Sequence, residues 1–408
     1  MNPVGLPTGL LFLSFELMKR TRPSNGSLFR AARLSAVISY ASLFVARNLS
    51  AEDHISVKWQ DYSEDDGRIR VISRYLGFEK QVSSQVTVRG HGVIDTISGA
   101  TPTGVPADSP DGAVPLSQLS DRREAGVIDI DWARETRKTT FQYAYSEESD
   151  FLSKGYSISH TEEFNKRNTG VSVGLSFIDD DVFAEPLLET EKKESYDYFI
   201  GVSQVLDPKT VVSLNFTYSN FNGYLSDPYK IVQRETEILP GLSLPLTFPE
   251  NRPDERNRMI WFFNGKRFFD VLKGSLDFDY RYFDDDWGVE SHTFDLEWYQ
   301  KIGERWIIRP KYRYYRQNAA DFYIIDLDTS PIEPSEAPNG SAPHYSTDYR
   351  LAKFASETYG VKIIFNATER LSFDVNFERY EMKGRDGITP QSTFPDADIQ
   401  TIGGTLWF

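Results

Sequence analysis

The chain has 408 residues, 39% hydrophobic and 14% aromatic, and its 60 Asp and Glu outnumber 45 Lys and Arg for a formal charge of −15. The absence of cysteine excludes disulfides, thiol catalysis, Cys-ligated zinc and a lipid-anchored cysteine. The acidic balance argues against nucleic acid or acidic lipid as a partner, and no stretch approaches the ~18 uninterrupted apolar residues of a membrane helix.

Residues 1–51 read as a signal or targeting segment. Lys19, Arg20, Arg22, Arg30 and Arg33 form a basic region, Leu34 to Val45 a short apolar core, and Leu49-Ser50-Ala51 a cleavage site before Glu52. The apolar run Val4 to Leu17 is redundant in that scheme, so Met18 is the expected start of translation. The alternative is that Leu34 to Val45 is a membrane anchor or a buried helix. This segment holds six basic side chains and one acidic, so the remainder, 52–408, is more acidic still.

From residue 52 onward almost every segment alternates at period two, the sign of half-buried strands. Ile55, Val57 and Trp59 alternate with Ser56, Lys58 and Gln60; beyond a turn at 65–67, Ile69 and Val71 flank Arg70; a third strand carries Val86, Val88, Gly90 and Gly92. Residues 97–121, rich in Gly, Pro, Ser and Asp, read as a long loop. The next strands follow from Ile128, Ile130 and Trp132; Phe141, Tyr143 and Tyr145; Tyr156 and Ile158; Val171 to Phe177; Tyr196 to Val202; and Val212 to Tyr218. Residues 222–254 form a Pro-rich loop. Met259 to Phe263 is apolar on both faces. Leu276 to Tyr282, Phe294 to Trp298 and Trp306 to Tyr314 alternate cleanly before a third long loop, 318–352. Tyr359 to Phe365, Leu371 to Phe377 and the terminal Asp398 to Phe408 complete about 16 strands, with 14 to 18 as the range.

Connections near 135, 166, 207, 269, 303 and 368 are short, and the others run to more than thirty residues. Short turns at one rim and long loops at the other, with ~10-residue strands, predict an all-β, antiparallel transmembrane β-barrel. The terminal strand resembles that of bacterial outer-membrane proteins, whose final Phe, here Phe408, presents the chain to the barrel assembly machinery. A soluble secreted β-rich binding protein is the alternative fold.

The expected lipid face carries Trp59, Trp132, Tyr143, Phe216, Tyr280, Trp298, Tyr312 and Phe377. The other face is charged, and burying such charges unpaired in a dry core costs several kcal/mol each. It therefore predicts a lumen with a basic wall of Arg70, Arg74 and Arg89, and an acidic wall of Asp277, Asp279, Asp295 and Glu297 beside Arg309, Lys311 and Arg313. Either a transverse field orients solutes there, or interstrand salt bridges stiffen the wall.

The segments Asp95 to Pro102, Arg122 to Asp129, Tyr145 to Ser153 and Asn165 to Thr169 resemble an uncharacterised bacterial family, the domain of unknown function DUF3570. The resemblance covers the chain from residue 53 to 408 and implies a Gram-negative cell-envelope β protein; it supplies no substrate and no catalytic residue. Read physically, Asp95, Asp129 and Asp131 are expected to latch the following loop to Arg122 and Arg123, with ligand contact as the alternative.

The five histidines lack zinc-enzyme spacing, and no nucleophile elbow or phosphate loop appears. His292 with Asp284 to Asp286 is the one rim constellation suited to a barrel hydrolase. The acidic runs 147–150, 179–181 and 284–286 lack EF-hand spacing and read first as solvated acidic loops, with weak surface calcium binding as the alternative; no cofactor or tight metal site is expected. The sequence thus predicts a monomeric or trimeric outer-membrane barrel, a porin-like conduit or an envelope scaffold rather than an enzyme, whose partners are outer-membrane lipid and lipopolysaccharide.

Overall fold

The computed structural model describes residues 53–107, 109, 112–184, 187, 189–328 and 330–408. The leader expected over 1–51, with its Met18 start, lies outside the described residues.

Sixteen antiparallel strands close into one barrel. They are β1 (His54–Glu64), β2 (Arg70–Gln81), β3 (Val86–Pro102), β4 (Leu116–Arg134), β5 (Arg137–Glu147), β6 (Phe151–Phe164), β7 (Thr169–Val182), β8 (Glu191–Asp207), β9 (Thr210–Gly223), β12 (Glu255–Phe269), β13 (Gly274–Asp285), β14 (Glu290–Ile302), β15 (Trp306–Gln317), β16 (Phe354–Asn366), β17 (Leu371–Gly384) and β18 (Ala397–Trp407). The intervening β10 (Ile231–Leu239) and β11 (Leu242–Pro249) form a separate hairpin inside the 222–254 loop. Closure comes from β1 against β18, in register from His54↔Trp407 to Glu64↔Ala397. No edge remains, so backbone donors and acceptors of the wall are satisfied within it, as lipid requires.

The connections segregate as alternation implied. At one rim, turns of two to four residues lie at 82–85, 135–136, 165–168, 208–209, 270–273, 303–305 and 367–370. At the other rim lie 65–69 (L1), 103–115 (L2), 148–150 (L3), 183–190 (L4), 224–254 (L5), 286–289 (L6), 318–353 (L7) and 385–396 (L8).

The loop expected over 97–121 is shorter in the structure. β3 runs on to Pro102 and β4 starts at Leu116, with Ser98↔Ser120 and Pro102↔Leu116 in register. The Gly and Ser content there serves close approach: Gly99 has φ 117°, and a Cβ on it would meet the Arg68 carbonyl oxygen at 2.0 Å. Only glycine fits where L1 crosses β3.

The outward face is an apolar belt. Leu175, Tyr198, Ile200, Leu214, Phe377 and Ile402 all stand exposed on it. Toward the short-turn rim the belt ends in paired, mutually tilted rings, with Phe269–Trp298 at 5.7 Å and Trp306–Phe365 at 4.5 Å between centroids. Toward the long-loop rim it ends in tyrosines whose hydroxyls donate to acceptors above them: Tyr145 to Glu147 (2.9 Å), Tyr312 to Glu357 (3.1 Å), Tyr359 to Glu381 (3.0 Å) and Tyr218 to Asn257 (2.8 Å). Rings facing the apolar side with polar tips facing water are the girdles of a bilayer-spanning barrel.

An arginine on the belt costs about 2–4 kcal/mol near the bilayer midplane. Leu214→Arg and Phe278→Arg are therefore expected to block assembly, scored as loss of the heat-modifiable band on gels. Ser157→Arg, inward-facing and half-buried, is expected to assemble. Equal behaviour of all three would contradict the assignment of faces.

Candidate functional site

The inward face divides into two kinds of wall. From β6 to β9 it is built mostly of small side chains, including Ser153, Ser172, Ser176, Ser195, Ser213 and Ser219, with Asp197, Phe199 and Asn215 among them. From β12 to β17 it is charged, and most of the charges are paired across strands. Lys266 meets Asp277 at 2.8 Å, Arg309 meets Glu297 at 3.4 Å, Arg313 meets Asp295 at 3.8 Å, Lys311 meets Glu378 at 3.4 Å and Lys362 meets Asp374 at 2.9 Å. Asp279 accepts from Asn264 at 2.5 Å. The structure thus brings together the expected Asp277, Asp279, Asp295, Glu297, Arg309, Lys311 and Arg313 on one wall, as ion pairs and hydrogen bonds rather than separate acidic and basic surfaces.

Two other expectations are corrected. Arg70 and Arg74 are not lumenal: they share the outward face with Leu76 and Phe78, and Arg70 binds Asp61 there at 2.5 Å. The alternation was inverted because Ile69 and Val71 are apolar yet point inward, into a core described below. The expected latch also separates into parts. Arg123 faces inward and holds Asp95 at 2.5 Å. Asp129 and Asp131 belong to Arg89, at 3.5 and 2.7 Å. Arg122 faces outward and pairs with Glu124 at 2.6 Å, because neighbours in a strand point to opposite faces.

Near the long-loop rim the inward face turns apolar. Tyr62, Ile69, Ile97, Leu119, Phe151, Val182 and Ile399 form one buried cluster, and Tyr229 of L5 packs into it. L5 springs from β9 and β12, on the far side of the ring from β3 and β4, so it crosses the mouth to get there. It docks through Lys230, whose Nζ donates to the Pro102 carbonyl at 2.5 Å, and through the Ile231 N–H to the Thr103 carbonyl at 3.3 Å. At Gly104 (φ 104°) a Cβ would strike the Ile231 carbonyl oxygen at 2.4 Å, so glycine again permits the contact.

L7 locks onto L5. Asn251 and Tyr345 exchange both backbone hydrogen bonds, at 3.0 and 2.8 Å. Arg252 donates to Glu250 at 3.0 Å and to Asp348 at 2.8 Å. Arg350 binds Asp348 at 2.8 Å and Asp227 at 2.9 Å. Ser346 donates to Glu250 at 2.5 Å. Around this buried knot lie apolar contacts of Val232, Leu327 and Tyr345, and of Trp287, Ala320 and Leu351. L5 and L7 together form a folded cap across the mouth. Its trace in the sequence was apolar residues at inward positions of strand ends, together with Tyr229 and Val232 inside a Pro-rich loop.

At the rim, His292 is held by Tyr280 (2.8 Å) and Glu290 (3.3 Å) on the outward face. Asp285 instead binds Arg256 at 2.7 Å and caps the L6 turn through the N–H groups of Trp287 and Val289. Asp180 and Asp181 are paired with Lys193 and Lys192.

Burial works against the Asp348 charge, but Arg350 and Arg252 outweigh it and hold its carboxyl well below the usual range. Such a group contributes stability that is complete above the ordinary Asp pKa of ~3.9 and is lost as pH falls toward the lowered value. Amide-exchange protection of residues 344–352, corrected for intrinsic rates, should therefore stay level from about pH 8 to about pH 5 and fall only below about pH 4. Arg252→Ala leaves buried Glu250 without its ion-pair partner and Asp348 with Arg350 alone, and should lower the opening free energy of this segment by about 3 kcal/mol. Loss of protection at neutral pH in the unmutated protein would contradict the ion-pair assignment.

Known structures with related folds include the siderophore receptor PirA from Pseudomonas aeruginosa (10% identity, 88% of this chain, 63% of that chain, TM-score 0.39). A bacterial polysaccharide outer membrane secretin matches at 8% identity over 88% of this chain and 100% of that one (TM-score 0.47). CdiB from Acinetobacter baumannii matches at 7% over 88% and 60% (TM-score 0.49). The chain thus spans less than two thirds of the receptor's length. No curated protein matches. The family model described as "Protein of unknown function (DUF3570)" matches residues 30–117, 108–188 and 186–394, and the chain belongs to that family.

Proposed function

We propose that this protein is a conduit of the Gram-negative outer membrane, closed at its outer mouth by the L5–L7 cap, and that it is not an enzyme. The long-loop rim then faces outward and the short turns face the periplasm. The apolar belt meets membrane lipid, with lipopolysaccharide around the tyrosine girdle. Phe408, exposed on the outward face, is the residue offered to the barrel assembly machinery. Nucleic acid has no place in this reading.

The observation that carries it is a largely polar wall beneath a cap fastened by a buried ion-pair knot and the apolar contacts around it. Well-packed apolar residues would serve a permanently filled barrel as well as or better than buried ion pairs do. Hydroxyls facing paired charges suit a wetted path for small polar solutes. The cap closes that path in the state described, and its displacement opens it.

Single-channel conductance in planar bilayers tests the reading. The intact protein should be silent or open rarely. Replacing residues 226–252 with a short Gly-Ser linker should give stable open steps. Silence in both, with heat-modifiable migration retained, would refute the conduit and favour an envelope scaffold.

A further inference from the structure

Three carboxylates at the long-loop rim take no part in the lumenal ladder. Asp121 lies in the outer part of β4, and Glu148 and Asp150 form L3 with Ser149 between them. All three are buried. One oxygen from each lies within 4.8 Å of the others.

The partners of Glu148 and Asp121 among the described residues do not account for their charge. Glu148 is 4% exposed, and neither of its carboxylate oxygens has a hydrogen-bond partner among the described residues. Asp121 accepts the Arg122 N–H on Oδ1 at 2.6 Å and hydrogen bonds from Ser149, whereas its Oδ2 is buried and has no partner among the described residues. Asp150 Oδ2 accepts the Tyr229 hydroxyl at 2.7 Å. The guanidinium acting on Glu148 is that of Arg123, already committed to Asp95 at 2.5 Å. Burial accordingly holds the Glu148 carboxyl well above the ordinary range. Glu147, the neighbour that made this run look like a surface cluster, faces outward and accepts from Tyr145.

We propose that Asp121, Glu148 and Asp150 bind one divalent cation of the calcium class, which fastens L3 to Tyr229 of the cap. The donor set is all oxygen, without His or Cys, which selects a hard cation over zinc or copper. Calcium–oxygen bonds of about 2.3–2.6 Å place ligands across the ion about 5 Å apart, a span that accommodates these oxygens. Carbonyls and water complete the six to eight ligands such an ion takes. The ion supplies the positive charge that the protein leaves out beside Glu148, and it sits one hydrogen bond from the residue by which L5 enters the apolar cluster. The site does not depend on whether the lumen conducts.

The test uses full-length protein purified in detergent and stripped with EDTA. Calcium binding is measured by equilibrium dialysis, and terbium luminescence sensitised by tyrosine reads the same site by calcium competition. One tight calcium per chain is expected, with affinity at least about tenfold weaker in Glu148→Gln and in Asp121→Asn. Tyr229→Phe should keep the affinity and lose the calcium-dependent exchange protection of L5. A thermal readout separates ligation from packing: calcium should raise the Tm of the unmutated protein and not that of Glu148→Gln, and in EDTA the variant should be the more stable of the two. If Glu148→Gln does not assemble, Asp121→Asn and Asp150→Asn carry the comparison. No tight calcium in the unmutated protein, or equal affinity in it and in the carboxamide variants, would overturn the proposal.

Discussion

A guanidinium shared by two loops holds the mouth of this barrel. Arg252 of L5 reaches its own neighbour Glu250 and Asp348 of L7, and all three are buried. None of these charges is tolerable there alone, since an unpaired buried ion costs several kcal/mol. The arrangement therefore makes each loop conditional on the other. Arg350 and Asp227 extend the same constraint to the start of L5, and the apolar contacts of Tyr229 and Val232 fill in around an already fixed frame.

The same two-residue alternation meets three environments in one strand. In β1, Ile55, Val57 and Trp59 face outward into the belt, Lys58 and Gln60 face inward, and Tyr62, still inward, packs into the cap cluster. Sidedness is constant, but the solvent on the inner side changes from a polar lumen to a protein core along the strand. β2 makes the same transition at Val71, and Ile69 of L1 continues it. An apolar side chain there marks the cap, and the arginines beside it, Arg70 and Arg74, are consequently on the outside.

This is why the barrel was legible and its interior was not. Runs such as Val212 to Tyr218 and Leu371 to Phe377 announce strands without reference to anything else, and short turns such as 207–209 fix which ends are joined. Apolar character alone gives the outward face wherever the inner face is polar, as on β13 and β14. It fails where the inner face itself turns apolar, at the cap. Partner choice is a matter of register: Arg89 meets Asp129 and Asp131 because Arg89↔Asp129 is the paired position, a fact absent from any one strand's sequence. The same holds for Asp121 and Glu148, 27 positions apart in the chain and joined only by the β4–β5 pairing and the turn beyond it. L5 carries Tyr229 and Lys230 within a stretch whose prolines and glycines advertise only a loop.

The account stands or falls on L5 crossing the mouth to the β3–β4 side. The chain contains no cysteine, so a pair placed at Thr103 and Ile231, whose backbones are hydrogen-bonded at 3.3 Å, has no competitor. Mild oxidation of the double variant Thr103→Cys, Ile231→Cys in intact cells is predicted to form an intrachain disulfide in most molecules, with neither thiol then accessible to an impermeant maleimide. Free thiols at both positions, labelled rapidly from outside and slow to cross-link, would mean that the mouth is open and the cap is not where this structure puts it.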